Sequence, residues 1–324
     1  MIVPDFWAQA SARHRDRKRQ ITVRRFGWSN ESEADARAMA QQRADEALAQ
    51  ILQGKSLQRR EPVRAYNGAD GVPIREEVLA RHGEQVITRN SYGAHCLNSP
   101  DTLFADIDFA PPRSRACNLI ALALLMSAAF VASQTIGSNS WPLWIVAAIA
   151  FVPLGRAMAR VVHRYRGGHE TIAVARMRSF IAQHPDWGLR YYRTPAGMRV
   201  VATHSTFSPR DDVVAKFFAA IGTDPRYARM CAHQHCFRAR LTGKPWRMGI
   251  DRHVRPRPGV WPVSDEKRPV RDAWIREYEA KAGGFAACRF EGSLGTTRVH
   301  PDVRVTLELH DRLAGAKRKG TPLA

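Results

Sequence analysis

Residues 104–109 contain two carboxylates with the spacing of a metal-binding pair. Acidic and apolar residues alternate here. Because successive side chains of a strand point to opposite faces, Asp106 and Asp108 are predicted on one face. Two carboxylates this close repel each other unless a cation lies between them, and oxygen donors suit Mg²⁺ or Mn²⁺. The alternative interpretation is an exposed edge strand, on which charged side chains are solvated.

A short turn between two predicted strands has the composition of a phosphate-binding turn. It runs from Thr194 to Gly197 as Thr-Pro-Ala-Gly, with Arg193 before it and Arg199 two residues after it. Backbone N–H groups of such a turn can bind a phosphate, and guanidinium groups can neutralise its charge. An ordinary hairpin with solvated arginines is the alternative interpretation.

Residues 237–247 combine four basic side chains, including Lys244, with two aromatic rings. Such a composition is typical of grooves that bind nucleic acid or a triphosphate. A solvated basic surface would have the same composition. Nucleotide or nucleic acid is therefore an expected partner, with Lys244 as a candidate phosphate ligand.

In this order the motifs resemble the catalytic core of the archaeo-eukaryotic primase-polymerase superfamily. In that core a strand with Asp-x-Asp is followed by a helix and then by two strands joined through a small-residue turn. The resemblance covers residues 103–109 and 187–247. It implies a metal-dependent nucleotidyl-transfer domain in which Asp106 and Asp108 hold the metal ions.

The same resemblance implies roles for the turn and for a third acidic residue. Thr194, Gly197 and Arg199 would lie at the nucleotide phosphates, although the superfamily usually has a histidine where this chain has Arg199. For the third acidic residue, Asp224 and Asp251 are both candidates. The chain also departs from the pattern in having a long apolar run between the first two motifs.

Cys231, His233, His235 and Cys236 form a second group of metal-ligand types. Their spacing differs from the Cys-x₂₋₄-Cys pairs of structural zinc sites, and no second pair has that spacing. We therefore expect no zinc ion here. We expect instead that the two cysteines lie in a packed turn. The chain also lacks the glycine-rich nucleotide loops and the hydrolase and zincin motifs, which argues against those classes of enzyme.

Composition and charge restrict the class of protein further. The 324 residues have a formal net charge of +20, with 44% hydrophobic residues, 25% charged residues and five cysteines. This is the composition of a folded protein in a reducing compartment, not of a disordered or disulfide-stapled chain. Nearly all of the net positive charge lies in residues 111–324, so an anionic partner is expected there.

Residues 116–155 contain no Asp, Glu, Lys, Arg or His. Two apolar stretches flank a polar patch at 133–140, and each is close to the minimum of about 17 residues for a spanning helix. We therefore predict a transmembrane hairpin over residues 116–156. A buried hairpin of a soluble protein is the alternative. The basic residues at both ends of the run, including Arg115 and Arg156, would meet anionic lipid headgroups.

The remaining sequence predicts an α+β fold. Strands and helices are both predicted in residues 1–112, which include a short helix near 75–81, and in residues 165–314. A basic tail follows over residues 315–324. We expect the two parts to form one cytoplasmic α+β domain that the hairpin interrupts. Whether the protein is an enzyme stays open at this stage. The alternative is a non-catalytic membrane-anchored module that binds anionic lipid or a partner protein.

The charges that flank the hairpin predict its topology. Positive residues favour the cytoplasmic side, so both termini are expected in the cytoplasm at the inner membrane, with only the turn near 138–140 outside. A reporter fused after Ala324 should therefore be cytoplasmic, and a tag inserted in the turn should be accessible from outside. An externally accessible C-terminus would contradict this topology.

Overall fold

The structure, a computed structural model, describes residues 3–17, 19–61, 72–112, 114–136, 140–257, 259 and 261–324. The predicted loop at 66–71, Arg113 and residues 137–139 of the predicted hairpin turn lie outside the described residues. The described part of the chain contains eight α-helices and ten strands in sheets, which confirms the α+β class.

The bounds of the regular elements are as follows. The strands are β1 (Phe6–Arg15), β2 (Gln20–Ser29), β3 (Glu77–His82), β4 (Gln85–Arg89), β5 (His95–Ser99), β6 (Phe104–Asp108), β7 (Gly188–Thr194), β8 (Gly197–Ala202), β9 (Phe237–Arg240) and β10 (Arg289–Gly295). The helices are α1 (Glu33–Leu52), α2 (Arg115–Ile136), α3 (Trp141–Tyr165), α4 (Gly168–Gln183), α5 (Asp212–Ile221), α6 (Pro225–Gln234), α7 (Arg268–Ala282) and α8 (Pro301–Leu313).

Two four-stranded antiparallel sheets form the body of the protein. One has the strand order β10-β7-β8-β6 and the other has the order β3-β4-β5-β9; we call them the β6 sheet and the β9 sheet after their adjoining edge strands. β6 pairs with β8, and β5 pairs with β9. Each sheet therefore takes strands from both sides of the α2–α3 hairpin, as expected for one domain with an inserted hairpin.

The register of the β6 sheet decides which side chains can meet. Asp106 lies opposite Arg199, and Arg199 lies opposite Tyr192. Arg193 lies opposite Met198 instead. Because the faces of a strand alternate, Asp106, Arg199 and Tyr192 share one face of the sheet and Arg193 belongs to the other.

The apolar face of β6 is held in the main core. Ile107 is buried there beside Met198, Met177 of α4 and Phe217 of α5. The predicted alternation along β6 is confirmed, because Ile107 is buried whereas Asp108 is exposed. Burial of the apolar face keeps the acidic face of β6 turned away from α4 and α5.

Helices α2 and α3 pack against each other and leave most of their apolar surface uncovered. They are long and apolar enough to cross a membrane, with mean hydropathies of 2.0 and 1.8 over their most apolar windows, of which only 17% is buried. Such exposure is unlike that of a core hairpin in a soluble protein. The buried residues are small ones that let the two backbones approach closely: Cys117, Ala121 and Ala129 on α2, and Ala147, Gly155 and Ala159 on α3.

The N-terminal residues form a separate small unit in which α1 covers one face of the β1–β2 ribbon. Ile21 and Val23 of β2 are buried against Ala47 of α1. At the other end of the helix, a side chain on Gly27 would meet the backbone of Ala36 and Ala40, so a glycine is needed for this close approach. Ser32 begins α1 by accepting a hydrogen bond from the Asp35 N–H.

The structure corrects three expectations about secondary structure. The predicted helix at 75–81 is wrong, because Glu77–His82 forms β3 and pairs with β4. The sequence from 231 to 236 was expected to be a turn, but α6 extends to Gln234. Residues 315–324 do not form a free tail, since Leu323 pairs with Ala286 and Ala324 is buried. For β3 and for the C-terminal residues, a pairing with another part of the chain overrides the local pattern.

Gly155 tests the packing of the hairpin. A Cβ at this position would meet the Asn118 side-chain oxygen and lie 2.7 Å from the Asn118 Cα. Overpacking costs about 1–3 kcal/mol, so Gly155→Val should lower the unfolding temperature of the detergent-solubilised protein. Ala148→Val, at an exposed position of α3, is the matched control and should have little effect. Equal unfolding temperatures for the two variants would contradict the helix pairing.

Candidate functional site

A cavity of about 320 Å³ opens where the β6 and β9 sheets adjoin. Three aspartates line it, namely Asp106, Asp108 and Asp224. Cationic side chains line the same cavity, namely Arg238, Arg240 and Lys244, together with Glu76 and Tyr92. The predicted pair Asp106 and Asp108 and the predicted phosphate ligand Lys244 therefore share one site.

Asp224 reaches the cavity because α6 begins there. Its side chain caps the helix by accepting a hydrogen bond from the Arg226 N–H, and its own N–H donates to the Asp106 carbonyl oxygen at 2.9 Å. Asp251, the other candidate for a third acidic residue, is exposed and does not line the cavity. The structure thus brings Asp224, and not Asp251, to the Asp-x-Asp strand.

Tyr227 fastens the two sheets together beside the cavity. Its hydroxyl lies 3.0 Å from the Phe104 carbonyl oxygen and 2.9 Å from the Arg238 carbonyl oxygen, and it accepts from the Arg238 N–H. The ring is buried. One side chain of α6 therefore satisfies backbone groups at the facing edges of β6 and β9, which would otherwise be buried without partners.

Arg199 is almost completely buried and holds Asp106 in place. Its Nε–H donates to Asp106 Oδ1 at 2.9 Å, and Nη1 donates to the Arg240 carbonyl oxygen at 2.8 Å. Burial lowers the pKa of Arg199, but the neighbouring groups, first among them the Asp106 carboxylate, together raise it above the usual value. Arg199 therefore stays charged, and one oxygen of Asp106 is committed to it.

Behind Arg199 lies a buried chain of polar groups on α8. His310 Nε2 lies 3.3 Å from Arg199 Nη1, and His310 Nδ1 lies 3.2 Å from Asp311 Oδ1. Burial lowers the pKa of His310, so the ring is neutral. It accepts from Arg199 and donates to Asp311. The Tyr192 hydroxyl donates to the same carboxylate at 2.8 Å.

The ionised form of Asp108 is disfavoured by its surroundings. Burial raises the pKa of Asp108, and the nearby carboxylates of Asp106 and Asp224 raise it further, although Lys244 and Arg247 oppose them. Among the described residues Asp106 is paired with Arg199, whereas Asp108 and Asp224 make no ion pair. Because the neighbouring carboxylates also raise its pKa, Asp108 would be stabilised by an added cation.

The three cations of the cavity differ in how far they are neutralised. Arg238 forms a buried ion pair with Glu76 at 2.6 Å. Burial lowers the pKa of Lys244, and Arg240 lowers it further. Since Arg238 already has its counterion, Arg240 and Lys244 are the side chains with charge available for an anionic ligand.

The structure places the remaining predicted site residues away from this cavity. Arg193 stacks its guanidinium 4.6 Å from the centre of the Phe109 ring and lies 3.9 Å from Glu170 of α4. Thr194 and Gly197 pair with each other where β7 turns into β8. None of the three lines the cavity. Their role at a phosphate stays a prediction.

Several cavity residues were not expected from the sequence. Glu76 had been assigned to a helix, and Tyr92 carries no local motif. Arg238 and Arg240 belong to the basic segment 237–247, and their alternation along β9 was the available signal, because residues two apart share a face. Pairing of β5 with β9 brings that face to the cavity.

The described residues contain no group of three or more His, Cys, Asp or Glu side chains arranged to hold a metal ion by themselves. The cysteines and histidines of residues 231–236 are divided between core and surface, with Cys231 and Cys236 buried and His233 and His235 exposed. The oxygen donors of the cavity suit a hard cation. Such an ion would need water or a ligand's oxygens to complete its shell.

Compared with known protein families, with curated proteins and with solved structures, the chain matches none.

Arg199 and Arg193 offer a matched test of this geometry. Removing one partner of a buried ion pair costs about 3–5 kcal/mol, and we expect Arg199→Met to lie at the low end because Asp106 is 32% exposed. Arg193→Met loses a cation–π contact of about 0.5–1 kcal/mol. Chemical denaturation of both variants would measure the difference. A loss from Arg193→Met as large as that from Arg199→Met would contradict the proposed arrangement.

Proposed function

We propose that the cavity binds a divalent cation together with the phosphates of a nucleotide, and that the protein is a membrane-anchored nucleotidyl-transfer enzyme of the primase-polymerase type. One observation carries the proposal: three aspartates share a cavity with Arg240 and Lys244. Carboxylates and cations brought together in this way suit a metal–phosphate ligand, which carries both signs of charge.

The donor set fits Mg²⁺ or Mn²⁺. All three acidic side chains offer oxygen, and these ions keep several waters rather than requiring a cage of protein ligands. The absence of a three-ligand group among the described residues is compatible with a shell shared between carboxylates, water and phosphate. When bound, the ion would act as a Lewis acid on a phosphoryl oxygen.

Each side chain then has a definite task in the proposal. Arg199 fixes the rotamer of Asp106 through a 2.9 Å hydrogen bond, so that the second carboxylate oxygen faces the cavity. Asp108 supplies the unpaired carboxylate. Arg240 and Lys244 neutralise phosphate oxygens. Asp224, fixed at the start of α6, supplies the third acidic group that the superfamily resemblance implies.

Aromatic side chains beside the cavity support a nucleotide rather than a free phosphate. Trp246 is 47% exposed, its ring centre lies 5.5 Å from that of Tyr92, and the Lys244 ammonium lies 5.5 Å from the Trp246 ring centre. Because every nucleobase has an aromatic face, an exposed ring next to a phosphate-binding cation can stack on it.

Helices α2 and α3 would anchor this domain in the membrane. In the proposal both termini are cytoplasmic, and the arginines at the ends of the hairpin contact anionic headgroups. Of these, Arg156, Arg160, Arg164 and Arg166 follow one another along α3 and just beyond it. Cations close to an anionic membrane surface contribute about 1 kcal/mol each.

A non-catalytic membrane-anchored module is the second candidate. The observation that favours it is the Arg199–Asp106 ion pair, because Arg199 already neutralises one of the two strand carboxylates without any metal. Under this alternative the cavity is a structural junction, and the basic surface binds lipid or a partner protein.

Thermal unfolding with Mn²⁺ and a nucleoside triphosphate separates the two candidates. A ligand at 100 times its dissociation constant stabilises the folded state by about 2.7 kcal/mol. Wild type should therefore unfold at a higher temperature with both additions, and Asp108→Asn should lose the shift, since Asp108 makes no ion pair among the described residues.

Asp212→Asn, an exposed change at the start of α5, is the matched control and should keep the shift. Lys244→Met should lose the response to nucleotide and keep the response to Mn²⁺. If wild type shows no shift with either addition, the nucleotidyl-transfer proposal fails and the non-catalytic module is favoured.

A further inference from the structure

The exposed face of the β1–β2 ribbon carries a row of basic and polar side chains. The ribbon precedes all of the cavity residues in the sequence. The register pairs Ser11 with Arg24, Arg13 with Thr22 and Arg15 with Gln20. Directly opposed residues share a face, and so do residues two apart on one strand. We call this set of six the outer ribbon face: Ser11, Arg13, Arg15, Gln20, Thr22 and Arg24.

This face points to solvent because α1 occupies the other one. Ala12, Ile21 and Val23 belong to the opposite face and are buried. Five of the six residues of the outer ribbon face are exposed, and Thr22 is half-buried. The helix therefore acts as a rigid backing that holds the six side chains in one plane.

The outer ribbon face has three arginines and no acidic residue. Arg15 and Arg24 make no ion pair with any described residue. At the turn of the ribbon Arg17 adds positive charge, whereas Arg19 is paired with Asp16. Five further acidic residues lie on or just before α1, behind the ribbon: Glu31, Glu33, Asp35, Asp45 and Glu46.

Charge and shape together indicate what the face binds. The major groove of B-form DNA is about 12 Å wide and admits a two-stranded ribbon. Arginine, glutamine, serine and threonine side chains donate hydrogen bonds to phosphates and base edges. Residues on one face of a strand are about 6.7 Å apart, so neighbouring arginines can reach successive phosphates.

Two other anionic partners fit less well. A lipid surface is bound most tightly where exposed apolar side chains lie next to the cations. The six residues of the outer ribbon face include no apolar side chain, and Trp7 and Phe26, which continue this side of the ribbon, are buried. Duplex RNA has a deep and narrow major groove that side chains cannot read. We propose that the outer ribbon face is a docking surface for duplex DNA, which it contacts through the major groove.

This inference goes beyond the nucleotide site and does not depend on it. The ribbon belongs to the N-terminal unit, and none of its six residues lines the cavity. Loss of the metal response in Asp108→Asn therefore tests the cavity alone, and this variant is expected to bind duplex DNA like wild type.

The test measures binding of the full-length, detergent-solubilised protein to a short fluorescent DNA duplex by anisotropy, from about 50 to 200 mM salt. The ribbon variant is Arg13→Gln/Arg15→Gln/Arg24→Gln. The control variant, Arg178→Gln/Lys216→Gln/Arg229→Gln, removes the same charge from exposed positions on α4, α5 and α6. All six changes are at exposed side chains, so unchanged unfolding temperatures are expected.

Each lost phosphate contact reduces the slope of log affinity against log salt by about 0.9, so the ribbon variant should lose up to about 2.7. The control variant should keep most of the wild-type slope and affinity. The proposal is overturned if both variants lose affinity equally. It is also overturned if duplex RNA or vesicles of anionic lipid bind as tightly as duplex DNA and with the same dependence on the ribbon arginines.

Discussion

A single guanidinium group connects the parts of this protein that the candidate site depends on. Arg199 lies on β8, donates to the Asp106 carboxylate on β6 and to the Arg240 carbonyl oxygen on β9, and contacts the buried His310 ring of α8. Because a buried arginine must satisfy its donors and its charge, these elements can pack in few other ways. The position of Asp106 follows from that constraint. The relative position of β6 and β9, between which the cavity opens, follows from it as well.

The same constraint explains why the acidic residues are tolerated together. Arg199 offsets part of the repulsion among the aspartates through its ion pair with Asp106. Lys244 offsets another part by favouring the ionised form of Asp108. Asp108 and Asp224 have no such partner among the described residues, and the pKa of Asp108 is raised by its neighbours. The arrangement thus neutralises one carboxylate with a protein cation and leaves two others facing the cavity.

The sequence predicted those features that depend on local periodicity. The alternation that places Asp106 and Asp108 opposite Ile107 is such a feature, and so are the two long apolar helices. The contribution of Asp224 depends on where α6 begins, and that of Glu76 on a strand that forms only by pairing with β4. Local pattern carries no information about such long-range pairing.

Arg193 and Arg199 show most clearly what composition alone does not predict. They are six residues apart in a basic hairpin, and composition treats them alike. The register puts one on each face of the sheet, so that one is buried in an ion pair with Asp106 and the other stacks on Phe109. Net charge summed over a long segment hides similar differences. Residues 1–110 are nearly neutral as a whole, yet they contain both the acidic helix α1 and the basic outer ribbon face.

The insertion of the α2–α3 hairpin between β6 and its partner β8 also determines the order in which the protein can be made. Asp106 and Arg199 are 93 residues apart in the chain, and both apolar helices are synthesised between them. In the proposed membrane-anchored protein, the hairpin therefore emerges from the ribosome before the other three strands of the β6 sheet. Until β8 follows, β6 has no partner strand and Asp106 lacks Arg199. Unpaired strands of this kind make incomplete chains prone to aggregation. Membrane insertion thus comes before completion of the site, and a chain that fails to insert leaves an apolar hairpin exposed beside the sheet.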